Sequence, residues 1–459
     1  MNWQTYSYNF KSNSKQEHQG LFRGIIPQWS LLTQSEKVVG LGIVLIPLWW
    51  LWGWSYLLLF LAIGIFTYEF FKRSKIRLQQ PSLTVLALIA YGLYNLISNY
   101  FYGLYNSSSL STRDLIGGFN TIFAPAAVIW YIQSKNIRVR LQVVAWAFSI
   151  VVVLMLAYWF YIFFVLHQVT FEPSRSLFGI LTGKPLQYKP GLGNSNYLIP
   201  YRAEDSSLPG LARYFFFFHG PESLALVVSF ICLLSLDLKN RLWFILLFSG
   251  AFFILLTSGT RSAWLSLPTI IIIRWLLKTG ASKGAWLICG LIALVSFVFL
   301  VITPVTEFVF NTVSNTAQAT SEFRGDSTDV RAEIYRRTFE RVLESSNQNF
   351  LFGHVVHGET VLPGYAPAMV GTHSFYLGSL LYIKGLVGIG IFATYWISLI
   401  AWLYQTRFGR PISCIIIFIL FSITFCVMAF ESTVMPIILI ALTTYNCSQV
   451  QQKKRKILL

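Results

Sequence analysis

The chain has 459 residues, 55% hydrophobic and 17% aromatic, with 12% charged and a mean hydropathy of +0.59. A water-soluble protein of this size carries about 25% charged residues and no repeated apolar runs of roughly 18 or more, so composition excludes a soluble enzyme and reads as a polytopic membrane protein. The net charge of +17 does not mark a nucleic-acid binder, because the basic residues lie in short clusters between apolar runs rather than in a stripe with surface aromatics.

In chain order, residues 1–37 are polar with no early apolar stretch, which predicts a cytoplasmic segment and no cleaved signal peptide. Twelve spans are then expected. Val38–Gly53 and Trp54–Phe71 form a tight pair before the basic loop Lys72, Arg73, Lys75 and Arg77. Pro81–Gly103 goes out and Gly118–Ile132 returns to Lys135, Arg138 and Arg140. Leu141–Gln168 leads out to a first large loop, Val169–Ala212. Arg213–Leu236, Leu242–Thr257 and Ser262–Leu277 follow, with Arg261 in the outer turn between the last two. Ala285–Val305 reaches a second large loop, Thr306–Thr372. His373–Tyr404, with a break expected at Gly385, and the pair Pro411–Phe430 and Thr433–Tyr445 close the domain.

The expected fold is thus all-α: one transmembrane domain, 38–446, with about 12 helices, external loops 169–212 and 306–372, and a basic cytoplasmic tail, 447–459. Charge supports this sidedness. With both termini inside, only Glu17, Glu36, Glu69 and Asp237 of the 18 acidic residues are inner, while Lys and Arg crowd the inner loops. Cys232, Cys289, Cys414, Cys426 and Cys447 lie in or beside apolar runs, with neither a disulfide framework nor a Cys-x-x-Cys.

The chemistry-bearing residues gather on the outer side. Arg261, in Leu256-Thr257-Ser258-Gly259-Thr260-Arg261-Ser262-Ala263-Trp264, sits in a polar break between two apolar runs. It reads either as an arginine snorkelling to head groups or as a fixed cation for an anionic substrate. In the second loop a helix is expected over Asp329–Glu344 with Asp329 as N-cap. At 100° per residue, Arg331, Ile334, Tyr335, Thr338 and Val342 share one face, so Arg331 is the arginine predicted to face the membrane domain. Arg336, Glu333 and Glu340 point away, and Arg337 and Arg341 lie to the flank. His354, His357 and Glu359 form only a weak metal pattern, without a His-Glu-x-x-His, and no metal site is expected. His373, at the mouth of its span, reads as a general base or as a satisfied interfacial histidine. Glu222, in an otherwise apolar run, reads as an arginine partner or as a carboxylate stabilised by a helix N-terminus.

Together these motifs form a recognisable series: Ser-x-x-Arg-Ser-Ala-Trp, an Arg-x-x-x-Tyr external helix, Leu-Phe-Gly, then Thr-His-Ser-x-Tyr-Leu-x-x-Leu-x-x-x-x-Gly-Leu-x-Gly. In that order the chain resembles the O-antigen ligase and O-antigen polymerase (Wzy-like) membrane glycosyltransferases over roughly Phe218–Ile391. The resemblance implies a bacterial inner-membrane enzyme that moves glycan from an undecaprenyl-diphosphate carrier to an acceptor hydroxyl, such as a lipid A–core sugar or another glycan. The reaction occurs at the periplasmic face without nucleotide sugar, metal or other cofactor. The resemblance places the family's turn arginine on Arg261, its loop-helix arginine on Arg331 and its histidine on His373; the roles expected for them are diphosphate binding for the two arginines and general base for His373, with Glu222 and Tyr335 as candidate supporting residues. Ser374 stands where many relatives have Asn, Tyr335 where they have Trp, and Gly-Pro-Glu at 220–222 replaces an Asn-containing version.

The chemistry suits those residues: a departing diphosphate calls for fixed cations and an acceptor hydroxyl for a base, and direct displacement inverts the anomeric centre. The alternative expectation is a transporter or transport accessory for a small anion or solute, with Lys384 and Glu222 as intramembrane ionisable residues.

Overall fold

The computed structural model describes residues 21–23, 26–54, 56–73, 78–105, 117–188, 196–203, 212–283, 325–361, 368–431 and 433–446. Most of the first 37 residues, the expected span Ala285–Val305, the start of the second large loop and the basic tail lie outside them.

Helix dominates the described residues, and strand is limited to two-residue pairs. Among the described residues, three helices are long and apolar enough to cross a membrane: α4, Leu83–Tyr105; α6, Leu141–Val165; and α13, Phe375–Gln405. α1 (Gln34–Val44) and α2 (Ile46–Trp52) pass the same test only together, bent by 59°. One run was expected there. Pro47 enters the first turn of α2 and cannot donate to the preceding turn, which breaks the helix. The remaining elements are α3 (Leu57–Arg73), α5 (Ala124–Lys135), α7 (Leu177–Leu181), α8 (Pro221–Ser235), α9 (Arg241–Thr257), α10 (Arg261–Lys283), α11 (Gly325–Leu343), α12 (Asn347–Phe352), α14 (Ser413–Thr424) and α15 (Val434–Thr443). Of these, α8, α9, α14 and α15 are apolar but shorter than a span; 15 residues of helix reach only about 22 Å, against roughly 30 Å of bilayer hydrocarbon.

Several helices turn apolar side chains outward. α4 turns Leu83, Leu86, Leu93, Ile97, Phe101 and Leu104 outward, all exposed, at helical spacing. A contiguous apolar stripe of that length is unstable against water and fits membrane association.

At the centre stands α8, buried along its length except near Glu222. It packs against α6, α9, α10, α14 and α15, and its small Ser223, Ala225, Ser229 and Ser235 admit close neighbours where dispersion rather than hydrophobicity drives packing. Its start corrects the expected span Arg213–Leu236. Arg213–Tyr214 is a strand paired with Tyr201–Arg202, and the helix begins only at Pro221, with Gly220 as an extended N-cap. The α8–α10 pair carries charge in two places: Glu222 and Arg261 lie at the starts of the two helices, while Arg274, within α10, donates at 2.8 Å to Asp237 just past the end of α8.

Candidate functional site

Arg261 opens α10 immediately after a sharp turn. α9 ends at Thr257, Gly259 takes φ 64°, and the Thr260 carbonyl accepts from the amides of Ala263 and Trp264. A cation at the amino end of a helix opposes the macrodipole, so the turn concentrates positive potential where an anion would compensate it. Arg261 is partly exposed and lies within the fields of Arg331 and Arg213.

Arg331 arrives on α11, whose buried face follows the expected period. Ile334, Thr338 and Val342 are buried, with Arg331 and Tyr335 beside them. The helix starts at Gly325, four residues before the expected N-cap, so Asp329 is a helical residue and not a cap. The flanking arginines are engaged in a solvated network: Arg336 with Glu333 and Glu340, Arg337 with Glu333, and Arg341 with Glu359.

Glu222 joins the cations. Its carboxylate accepts from Arg213 at 3.2 Å and lies 3.8 Å from Arg331. Both sequence readings of Glu222 hold together, since it also occupies the first turn of α8. Arg213, which sequence reasoning took only as a span boundary, is buried and donates to the carbonyl of Ser258 at 3.0 Å. It therefore ties the start of α8 to the turn that carries Arg261. The available signal was an arginine directly before the aromatic run Tyr214–Phe218 at an outer mouth.

His373 reaches the same place from the turn before α13, with a left-handed φ of 68°. Such a backbone is costly for a non-glycine residue and persists only where its surroundings dictate it. Here the amide of Gly371 donates to the buried Thr338 hydroxyl of α11 at 2.9 Å, and the Ser374 hydroxyl caps the amide of Leu377. Burial, reinforced by the charge of Arg331 and opposed by that of Glu222, pushes the imidazole from its ordinary 6.5 down to about 4. It is therefore neutral at neutral pH.

The tautomer follows from Thr372. Its hydroxyl donates its single hydrogen to the carbonyl of Met369 at 2.6 Å, and its oxygen lies 2.8 Å from His373 Nδ1. The oxygen must then accept from Nδ1–H, which leaves the lone pair on Nε2. Nε2 is the basic atom.

Tyr335 lies one turn along α11 from Arg331. Its hydroxyl donates to the carbonyl of Val427 at 3.1 Å, anchoring α11 to the loop after α14. The weak metal pattern falls apart in space. His354 stacks on Tyr382 with ring centroids 4.4 Å apart, and Glu359 accepts from Arg341. Among the described residues no group of three or more His, Cys, Asp or Glu converges.

A cavity of about 310 Å³ is walled by Trp54, Tyr91, Phe375, Phe392 and Phe430. Phe375 follows His373 by two residues. Of the sequence-predicted site residues, Arg261, Arg331, Glu222 and His373 thus come together, and Tyr335 stands behind them. No family model and no curated protein matches the chain.

Proposed function

We propose that the chain is a metal-independent, inverting membrane glycosyltransferase of the O-antigen ligase or polymerase type. It moves glycan from an undecaprenyl-diphosphate carrier to an acceptor hydroxyl at the periplasmic face of a bacterial inner membrane, in the assembly of surface or capsular polysaccharide. In this reading twelve spans place both termini in the cytoplasm. The observation that carries it is that Arg331 lies within the fields of both Arg261 and His373, the three coming from separate stretches of chain, and 3.8 Å from Glu222.

Arg261 and Arg331 hold the diphosphate oxygens and stabilise the charge that grows as the sugar–phosphate bond breaks. The acceptor oxygen attacks the anomeric carbon from the opposite face while its proton passes to His373 Nε2, and the bonding electron pair leaves with the diphosphate. Glu222 keeps Arg331 extended toward Arg213 until the anionic donor competes for it. The aromatic-walled cavity offers room for the first isoprene units of the carrier.

The transport reading has Lys384 in its favour, buried beside a helix break. That break is filled by the chain itself, however, because backbone from Leu351 to Val355 docks on it. Surface chemistry is therefore the better-supported reading.

The deciding experiment is glycan transfer in purified membranes, with undecaprenyl-diphosphate-linked oligosaccharide and candidate acceptors. Wild type should transfer sugar, while Arg261→Ala, Arg331→Ala and His373→Ala, each still inserted, should reduce transfer at least about a hundredfold. Normal output from all three variants would overturn the mechanism. Solute uptake without transfer to any acceptor would favour the transporter.

A further inference from the structure

The loop Phe425-Cys426-Val427-Met428-Ala429-Phe430-Glu431, between α14 and α15, contributes none of Arg261, Arg331, Glu222 and His373, yet it is bonded beside each of them. The amide of Phe375, two residues from His373, donates to the carbonyls of Phe425 and Met428 at 3.1 and 3.0 Å. The hydroxyl of Tyr335, one turn from Arg331, donates to the carbonyl of Val427. The hydroxyl of Ser262, next to Arg261, contacts Met428 Sδ at 3.2 Å. At the end of the loop, Glu431 accepts from the Ser223 hydroxyl at 3.1 Å and from His219 Nε2 at 2.9 Å, either side of Glu222.

Four elements carry the four site residues, and one seven-residue loop touches all four. Three of its tethers use the loop's backbone or a soft sulfur contact. Glu431 is the charged tether, and it is the one that seizes the amino end of α8. Ser223 is fully buried, and its only hydroxyl hydrogen goes to Glu431 Oε2. His219 Nε2 faces both oxygens at 2.9 and 3.0 Å and so carries a hydrogen. A carboxylate oxygen accepting two side-chain donors is a stronger joint than a neutral pair.

We propose that this loop is the frame that keeps Arg261, Arg331, Glu222 and His373 in mutual register, and that Glu431 is a positioning residue for the transfer. The inference rests on the glycosyltransferase reading for its consequence in rate, but not for its consequence in structure. Displacing the loop by an ångström moves two cations and the base relative to one another, a misalignment that costs turnover rather than donor binding.

The test compares Glu431→Ala and Glu431→Gln in full-length protein, by transfer kinetics and by amide hydrogen exchange in detergent or nanodiscs. Glu431→Ala should lower kcat roughly ten- to hundredfold with KM changed by less than about threefold. It should also speed exchange at Phe375 and along Arg331–Thr338, distant in sequence, while α4 and α6 keep their protection. Glu431→Gln retains an oxygen for both donors and should restore kcat to within about threefold of wild type. Unchanged exchange at Phe375 in Glu431→Ala would overturn the frame. So would equal damage by Gln and Ala with protection lost across every helix, since Glu431 would then be a plain stability residue. Faster exchange at Phe375 in a protein whose wild type transfers no sugar would uphold the frame and reject the transferase.

Discussion

His373 combines a left-handed backbone, a neutral ring and a fixed tautomer, and each has a measurable consequence. With the base depressed to about 4, kcat/KM should hold level as pH falls through 6.5 and decline only near pH 4, where Nε2 becomes protonated in the free enzyme. Bound diphosphate offsets the field of Arg331, so the ring regains proton affinity in the complex and the acid limb of kcat should lie at higher pH than that of kcat/KM. Superimposed limbs in the two profiles would contradict the placement of Arg331 beside His373. Thr372→Val removes the acceptor that holds Nδ1–H and should lower kcat about tenfold, whereas Thr372→Ser should stay near wild type. Nitrogen-15 NMR of the histidine ring would show the Nδ1–H tautomer diminished in the valine variant alone.

At the scale of elements, the informative joint lies between α12 and the break in α13. Gly385 has φ 62°, and a Cβ there would stand 2.5 Å from Gly353 N and Leu351 O. Gly353, at φ 82°, would place a Cβ 2.2 Å from Ile383 O. The amides of His354 and Val355 donate to Tyr382 O and Ile383 O at 2.8 and 3.0 Å, and the single hydroxyl hydrogen of Tyr94 is shared between Phe352 O and Lys384 O, 2.8 and 2.7 Å away. These bonds supply partners for carbonyls that the break would otherwise strand in an apolar setting. Gly385→Ala and Gly353→Ala should each cost at least about 1–3 kcal/mol and lower the melting temperature in detergent. Gly390→Ala, in the same helix with nothing within 4 Å of its Cβ, should be neutral or gain about 0.5–1 kcal/mol.

Much at this scale was legible from composition and period. The face of α11 and the break at Gly385 needed only a 3.6-residue repeat and one glycine in an apolar run. The start of α8 was not legible, because Arg213–Phe218 is apolar enough to extend a span, yet Arg213–Tyr214 pairs as strand and the chain turns before Pro221. The bend between α1 and α2 was also missed, since hydropathy does not register the amide that Pro47 lacks. Arg213 and Glu431 escaped for a different reason: their work is a hydrogen bond to a residue remote in sequence, and such bonds leave no periodic trace; Thr372 bonds its near neighbours Met369 and His373 through turn geometry that periodicity does not register.

Across the whole molecule, the sidedness proposed here is open to labelling. In a cysteine-free background, Phe339→Cys, exposed on α11, should react with a membrane-impermeant maleimide added to spheroplasts. Lys239→Cys, exposed between α8 and α9, should react only after permeabilisation. The opposite pattern would invert the topology and put the arginine cluster in the cytoplasm. The structure gives this test a firm basis, since Glu222 and Arg261 share one end of the α8–α10 pair and Asp237 and Arg274 the other.

The docking of residues 351–355 on the interrupted helix also limits how the protein can be taken apart. An external loop of a membrane protein is ordinarily a module that engineering or recombination can exchange to change the acceptor without disturbing the spans. Here the segment after α12 completes the backbone of a span, so the two form a single heritable unit. A chimaera that imports a foreign loop without its matching helix break would leave the Tyr382 and Ile383 carbonyls without these partners, and under the proposed transferase reading variation in acceptor choice should therefore arise outside 351–355 and 382–385.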